Sequence, residues 1–341
     1  MSGLRTALAG AYPKLMQGIV AASESVALSS PLLCRPSSSN PTSSWFQLGK
    51  RSFSIVSGDS FQSWPELVTA LQQRQVISSP VVADVMLCVE RIAFAHTRGM
   101  AVHPVDALSD NSVGLGQGLR LSAPSLHALA LELLLPHLQL LTGQLPTGQG
   151  PSNRQPAGQS GDDGEDQSSR ERQAGRRPVQ VLDVGCGSGY LTACLAVLLG
   201  YKGKVLGVDK AERMVQLARW NLCHQVPQVM DPTQVNNVTL LTGNVLQEGW
   251  LEEQGGPWDA IHVGASCPRL PEVLLRALAP GGRMVIPIGR PLEPQWLTIV
   301  DKDGAGRVHL HREVQVNYTP LTPPASQIDW RGEGGAHLRI G

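Results

Sequence analysis

The sequence has no excess of charge of either sign, because its 28 basic and 28 acidic residues cancel. That balance removes the basic footprint expected of a nucleic-acid binder. Long apolar runs are also missing. No stretch approaches the ~18 uninterrupted apolar residues that a membrane-spanning helix requires. Neither nucleic acid nor a membrane is therefore expected as a partner. Paired cysteines are the third absence. The six cysteines, at positions 34, 88, 186, 194, 223 and 267, form no C-x-x-C, which argues against a zinc site or a disulfide framework and for a reducing compartment. Aromatic side chains are scarce, at 4% of the chain.

A chain of 341 residues has room for about two domains, but two stretches read as outside any core. Residues 1–57 carry five basic residues (Arg5, Lys14, Arg35, Lys50 and Arg51) against one acid, Glu24, and are rich in serine. An Arg/Ser-rich, acid-poor leader has the composition of a transit peptide. Arg51-Ser52-Phe53-Ser54 is similar to the context in which mitochondrial presequences are cut, so import is expected, with an ordinary disordered tail as the alternative. Residues 142–178 hold Leu145 as their only large aliphatic residue and read as a disordered insertion. What remains is a single domain within 58–341. Without the leader, 23 basic residues would face 27 acidic ones.

Helix and strand signals organise the remainder. Ser63-Trp64-Pro65-Glu66 is a capping box. Ser79-Pro80 opens a second helix with Val82, Val85, Met86 and Val89 on one face. Pro124-Ser125 opens a third, which Pro136 is expected to bend or end. From residue 179, strands alternate with helices. Strands are expected over 179–184, 204–208, 238–241, 260–263 and 283–288, and helices over 190–199, 211–223 and 268–278. This alternation predicts an α/β fold, a doubly wound and mostly parallel sheet covered on both faces.

Val181-Leu182-Asp183-Val184-Gly185-Cys186-Gly187-Ser188-Gly189 carries the chemistry. A strand runs into a glycine-rich turn and then a helix. The third glycine comes one position too early for a dinucleotide fingerprint, and an acid stands two residues before the first. That spacing fits the D-x-G-x-G-x-G loop of class I S-adenosyl-L-methionine-dependent methyltransferases. Val205-Leu206-Gly207-Val208-Asp209 ends the next strand on an acid placed to accept from ribose hydroxyls. Dinucleotide-binding domains use an acid in the same way, so the loop spacing, not Asp209, separates the two cofactors.

Further segments resemble the protein-L-isoaspartate (D-aspartate) O-methyltransferase family. They are Leu121-Ser122-Ala123-Pro124-Ser125-Leu126-His127-Ala128, Asp259-Ala260-Ile261-His262-Val263-Gly264-Ala265, Pro287-Ile288-Gly289 and Tyr318-Thr319-Pro320-Leu321-Thr322, with Asp84-Val85-Met86-Leu87 before Glu90-Arg91. The resemblance spans about residues 60–141 and 179–330. It implies methyl transfer from S-adenosyl-L-methionine to the free α-carboxylate of L-isoaspartyl residues, and weakly of D-aspartyl residues, in damaged proteins. It also implies a monomer in the cytosol.

Carried over residue by residue, the resemblance makes Ser122 the contact to the substrate carboxylate. It assigns His127, Asp183, Gly185, Gly187, Asp209, Lys210, Asn244, Val245, Thr322 and Gln327 to the cofactor. Plainer readings stand beside these: a helix cap for Ser122, a packed histidine for His127, a tight turn for Gly185 and a surface loop for Thr322 and Gln327. Cys186 before a helix invites a nucleophile reading, but a tolerated small side chain fits better. His262 reads as a satisfied core histidine. Two departures from the family pattern matter. Gly243-Asn244-Val245 replaces a typical Gly-Asp-Gly, and Arg120 follows a lengthened Gly114–Gly118 segment where a small hydroxyl residue is usual. These departures motivate an alternative class, a binding module that kept the fold and recognises damaged or partner proteins without catalysis.

Overall fold

A computed structural model describes residues 61–95, 104–116, 119–143, 177–290 and 292–321. The leader, nearly all of the 142–178 insertion, Thr322 and Gln327 lie outside the described residues. Helices α1 (Trp64–Gln73) and α2 (Pro80–Cys88) and a 3-10 turn (Arg91–Phe94) come first. A short helix α3 (Pro104–Ala107), a hairpin of β1 (Val113–Gly116) and β2 (Leu119–Leu121), and the long helix α4 (Pro124–Thr142) follow. The second half runs β3 (Val179–Val184), α5 (Tyr190–Leu199), β4 (Gly203–Asp209), α6 (Glu212–Gln225), β5 (Val238–Thr242), α7 (Trp250–Glu253), β6 (Trp258–Val263), α8 (Glu272–Ala277), β7 (Leu278–Ile288), β8 (Gln295–Lys302) and β9 (Val308–Val316).

Among the described residues these last strands form one seven-stranded sheet in the order β5-β4-β3-β6-β7-β8-β9. The pairs from β5 to β7 are parallel, while β8 runs antiparallel to both β7 and β9. The strand order reverses at β3: the chain winds outward through β4 and β5, then returns to β6 on the other side. A crevice opens at such a switch point, beyond the carboxyl ends of the strands. Alternate residues of β3 feed opposite faces. Val179 and Val181 join the core that includes α1, α2, α4 and α5, whereas Leu182 and Val184 join the core on the other face with Ile261, Leu274 and Met284.

Local signals explain most element ends. Ser63 Oγ accepts from the Glu66 amide, as the capping box requires, but Glu66 reaches back to the Gln62 amide, one residue earlier than the box predicts. Pro136 does not end α4, which continues to Thr142 and stops at Gly143 in the left-handed region (φ 70°). The turn that Pro136 loosens is supported from outside, because Arg283 Nη1 donates to the Leu133 carbonyl at 3.1 Å. The helix expected over 268–278 shrinks to Glu272–Ala277, since the chain is already extended at Leu278, where β7 pairs with Trp258. The hairpin β1–β2 and the antiparallel strands β8 and β9 are additions to the expected fold.

Candidate active site

The cofactor loop is built by backbone hydrogen bonds from a neighbouring strand. The amides of Gly185 and Cys186 both donate to the Val208 carbonyl of β4, at 2.7 and 3.0 Å. Gly185, Gly187 and Gly189 all take positive φ (75°, 55° and 85°), which an ordinary side chain would strain. The Gly187 amide donates to Asp209 Oδ2 at 3.1 Å, and the Ala211 amide to Oδ1 at 2.9 Å. Asp209 thus holds the turn after β3 and the start of α6 together. It remains only partly buried, with lone pairs free for further donors. Burial is the main cause that pushes its carboxyl above the usual aspartate range, the two amides working against it. Lys210 follows, exposed, at the end of β4.

Asp183 lies deeper than a direct ligand would. Only 1% exposed, it accepts from Thr192 Oγ1 at 2.5 Å and from His262 Nδ1 at 2.7 Å. Asp183 and His262 are register partners across β3 and β6, so the tie follows from strand pairing. Asp183 is a cross-brace beneath the loop, and both of its oxygens are engaged within the protein. His262 is the satisfied core histidine that the sequence suggested.

The end of β5 meets the same crevice. The Gly243 amide donates to the Asp209 carbonyl at 3.0 Å. Asn244 Oδ1 folds back to accept from the Leu246 amide at 3.0 Å. Val245 is buried in the core among Leu246, Leu251 and Val208. Its side chain is committed to packing, and only its backbone can serve a ligand.

The start of helix α4 packs beside the end of the glycine loop, against Tyr190. The Ser122 hydroxyl is not its cap. Ala123 holds that position, and Asp110 Oδ1, fifteen residues upstream of Ser125, accepts the Ser125 amide at 2.8 Å. Ser122 is half-buried, and its hydroxyl makes no hydrogen bond to a described residue. One turn on, the His127 ring tilts against the Tyr190 ring at 4.8 Å, where Trp64 and Phe94 also pack edge-on. His127 is 8% exposed, and its Nδ1 has no partner. Burial first, then the charges of Arg91 and His262, hold its imidazole well below the ordinary range. The site therefore contains a neutral imidazole at physiological pH.

A consequence for stability follows. The folded state resists protonating His127 while the unfolded chain, with a pKa of about 6.5, accepts the proton. The stability tied to the neutral form is fully present above pH ~6.5 and is lost as pH falls below it. The melting temperature should decline from pH 7 to pH 5, and His127→Gln should flatten that decline. An unchanged slope in the variant would remove this role.

Other expected residues separate cleanly. Burial and the nearby carboxylates of Asp183 and Asp209 drive the Cys186 thiol well above its ordinary pKa, so it is no nucleophile. Arg120 is exposed and folds onto Ser112, with Nε to Oγ at 3.0 Å and Nη2 to the carbonyl at 2.9 Å. It staples the hairpin. The C-terminal segment docks beside β6, with the Ser266 amide donating to the Thr319 carbonyl and the Leu321 amide to the Ser266 carbonyl.

Sequence reasoning gave no role to Arg91. Wholly buried, Arg91 donates to the carbonyls of Ala107 (2.7 Å), Asn111 (2.9 Å) and Ser122 (3.0 Å). Its partners are backbone carbonyls 16, 20 and 31 residues away, which leave no mark in a sequence pattern. The clue that was available is an arginine following an apolar helix in a segment of otherwise buried residues.

The sequence profile of the protein-L-isoaspartate (D-aspartate) O-methyltransferase family matches residues 62–152 and 176–326. The chain belongs to that family. The protein-L-isoaspartate O-methyltransferase 1 of Arabidopsis thaliana is 32% identical over 262 residues, covering 77% of this chain and 92% of its own. The Caenorhabditis elegans protein-L-isoaspartate O-methyltransferase is 30% identical, covering 77% and 93%. Among solved structures, a protein-L-isoaspartate O-methyltransferase of Plasmodium falciparum in complex with S-adenosyl-L-homocysteine superposes with a TM-score of 0.57 at 25% identity, covering 77% of this chain and all of that one. The mostly parallel sheet with its glycine-loop crevice is the class I methyltransferase fold.

Proposed function

We propose that this chain repairs proteins by transferring a methyl group from S-adenosyl-L-methionine to the free α-carboxylate of L-isoaspartyl residues and, weakly, of D-aspartyl residues. The observation that carries this reading is the Ser122–Ala123–Pro124 turn. It holds a hydroxyl with no hydrogen bond to a described residue at the start of a helix whose His127 packs on Tyr190, the first helical residue after the glycine loop that Asp209 braces. The residues present fit the cofactor. Asp209 has acceptor capacity left for ribose hydroxyls, and the left-handed glycines bare backbone groups at the loop. The family resemblance assigns the adenine edge to Asn244 and the Val245 amide, which follow β5, and adds His127, Lys210, Thr322 and Gln327.

When bound, S-adenosyl-L-methionine supplies a methyl carbon on a positively charged sulfur; the substrate oxygen bonds to that carbon while the C–S pair stays on sulfur. The protein needs no general base for this, because the substrate carboxylate is already ionised at neutral pH. The two imidazoles agree with that economy. His262 is bound to Asp183, and His127 is neutral and buried. The task left to the protein is alignment, worth on the order of 7–11 kcal/mol in well-oriented systems. Ser122 would orient the carboxylate by donating its hydroxyl proton to one oxygen.

The test is incubation with labelled S-adenosyl-L-methionine and paired peptides differing only in isoaspartate or aspartate. Base-labile label on the isoaspartyl peptide alone is the expected result. Cofactor binding without transfer to either peptide would overturn it and favour the binding-module alternative. Asp209→Ala should weaken S-adenosyl-L-homocysteine binding by about 1.5–3 kcal/mol, roughly 10- to 150-fold, through lost charge-assisted hydrogen bonds. Because the carboxyl titrates above the usual range, binding to the unaltered protein should also weaken in mild acid. Calorimetry across pH would read both effects, and an affinity unmoved by the substitution would exclude the ribose contact.

The acid-poor leader supports mitochondrial import. Sequencing the N-terminus of the cell-derived protein tests this, with a start near Ser54 expected and an intact leader indicating the cytosol. A monomer is the proposed state, checked by light scattering. No helix among the described residues is long and apolar enough to cross a membrane.

A further inference from the structure

Among the described residues, Arg91 is the only lysine or arginine that is wholly buried. Burying a cation is costly unless its hydrogen bonds are well made. Here the planar fork spans three carbonyls from two segments, Ala107 and Asn111 in one and Ser122 in the other, a geometry that a single lysine ammonium reproduces poorly. The Asp110 carboxylate lies near enough to Arg91 to favour its charge. Asp110 itself accepts the Ser125 amide. Arg91 and Asp110 therefore grip both ends of one four-residue turn: Arg91, itself held by the 107–111 segment, donates to the Ser122 carbonyl, and Asp110 accepts from the Ser125 amide. Leu121, before the turn, is sunk in the core, as is Ala128 after it. The turn is clamped at both ends, while the Ser122 hydroxyl makes no hydrogen bond to a described residue.

We infer that Arg91 is a positioning residue for the substrate carboxylate, acting through the Ser122 peptide to fix the hydroxyl at the crevice. This rests on the methyltransferase reading above. The carboxylate carries its full charge in the ground state and loses it as the ester forms. A loosened hydroxyl therefore weakens substrate binding more than it slows the bound complex. A staple that served folding alone would instead alter stability, or both sites together.

The experiment is a double-mutant cycle on the full chain with Arg91→Lys, Ser122→Ala and their combination, assayed with the isoaspartyl peptide. Arg91→Lys should raise KM roughly ten-fold and leave kcat within about threefold. Its affinity for S-adenosyl-L-homocysteine should stay that of the unaltered chain. Ser122→Ala should raise KM similarly, and the double variant should be no worse than the worse single one, because both remove the same contact. Arg91→Met should exceed Arg91→Lys if it folds, and the lysine variant carries the test if it does not. KM unchanged in Arg91→Lys, effects that multiply in the double variant, or a parallel loss of cofactor affinity would each overturn the inference. Failure of the unaltered chain to methylate the peptide would instead overturn the functional reading, and this inference with it.

Discussion

Asp183→Ala is expected to lower the melting temperature by about 6–12 °C and to weaken cofactor binding. The substitution removes the acceptor of the Thr192 hydroxyl and of the His262 Nδ1 proton, at 2.5 and 2.7 Å. Thr192 is fully buried and His262 is 5% exposed, so water cannot replace the lost carboxylate at either. A buried donor left without a partner costs about 1–3 kcal/mol. Two such donors put the loss at roughly 3 kcal/mol, and each kcal/mol moves the transition by about 2–4 °C in a domain of this size. The effect reaches the cofactor because Asp183 sits two residues before Gly185 and braces β3 to α5, the elements on either side of the glycine loop. Asp183→Asn should be milder. The asparagine oxygen can still accept from Thr192, and His262 can shift its proton to Nε2 and accept from the amide at Nδ1. Calorimetric melts of the three proteins decide the matter, with a change under 2 °C for the alanine variant excluding the brace.

That brace was half legible in the sequence. The acid before the glycine loop stood out by spacing, yet its partner His262 is 79 residues away and becomes its neighbour only through the pairing of β3 with β6. Reasoning from the loop alone cast Asp183 as a floor for the cofactor; the structure turns it inward. Strongly periodic stretches transferred well. The strand Val179–Val184 and the helix Tyr190–Leu199 fall on the residues expected, because short, largely apolar runs punctuated by proline and glycine leave few competing arrangements. Pro136 misled, since proline removes one hydrogen bond from a helix but cannot foretell that Arg283, 150 residues from Leu133, will serve a nearby carbonyl. The plainer reading of Ser122 as a cap fails for a similar reason. Capping rules look within one turn, and here the acceptor is Asp110 on a preceding loop. The edge strand β9 is largely exposed and carries charged and polar residues, including His309, His311 and Arg312. Its apolar positions are too diluted to mark an edge of the sheet.

The glycine loop yields the other large effect. Gly189→Val should destabilise the protein by about 4 kcal/mol or more, lowering the melting temperature by roughly 8–16 °C. Two causes add at this position. The backbone sits at φ 85°, where a β-branched residue is a genuine outlier, and a residue with any Cβ forfeits about 1–2 kcal/mol. Space is the second cause. A Cβ here would stand 2.6 Å from Leu222 Cδ1, 2.9 Å from Ala218 Cβ and 3.1 Å from Ala218 Cα, the last a backbone atom that cannot rotate away. Relief would require α6 to move, yet Asn221 Nδ2 holds that helix to the Ser188 carbonyl at 2.8 Å. Gly187→Ala separates the two causes. Its φ is also positive, at 55°, but a Cβ there meets only the Gly185 carbonyl oxygen, at 3.9 Å, so the conformational penalty alone should appear, about 1–2 kcal/mol. If the two glycine variants melt together, crowding against α6 is not what sets the third glycine of the loop. If Gly189→Val alone collapses, that glycine is required by helix packing, and the cofactor-loop motif records a constraint of the fold as well as of the ligand.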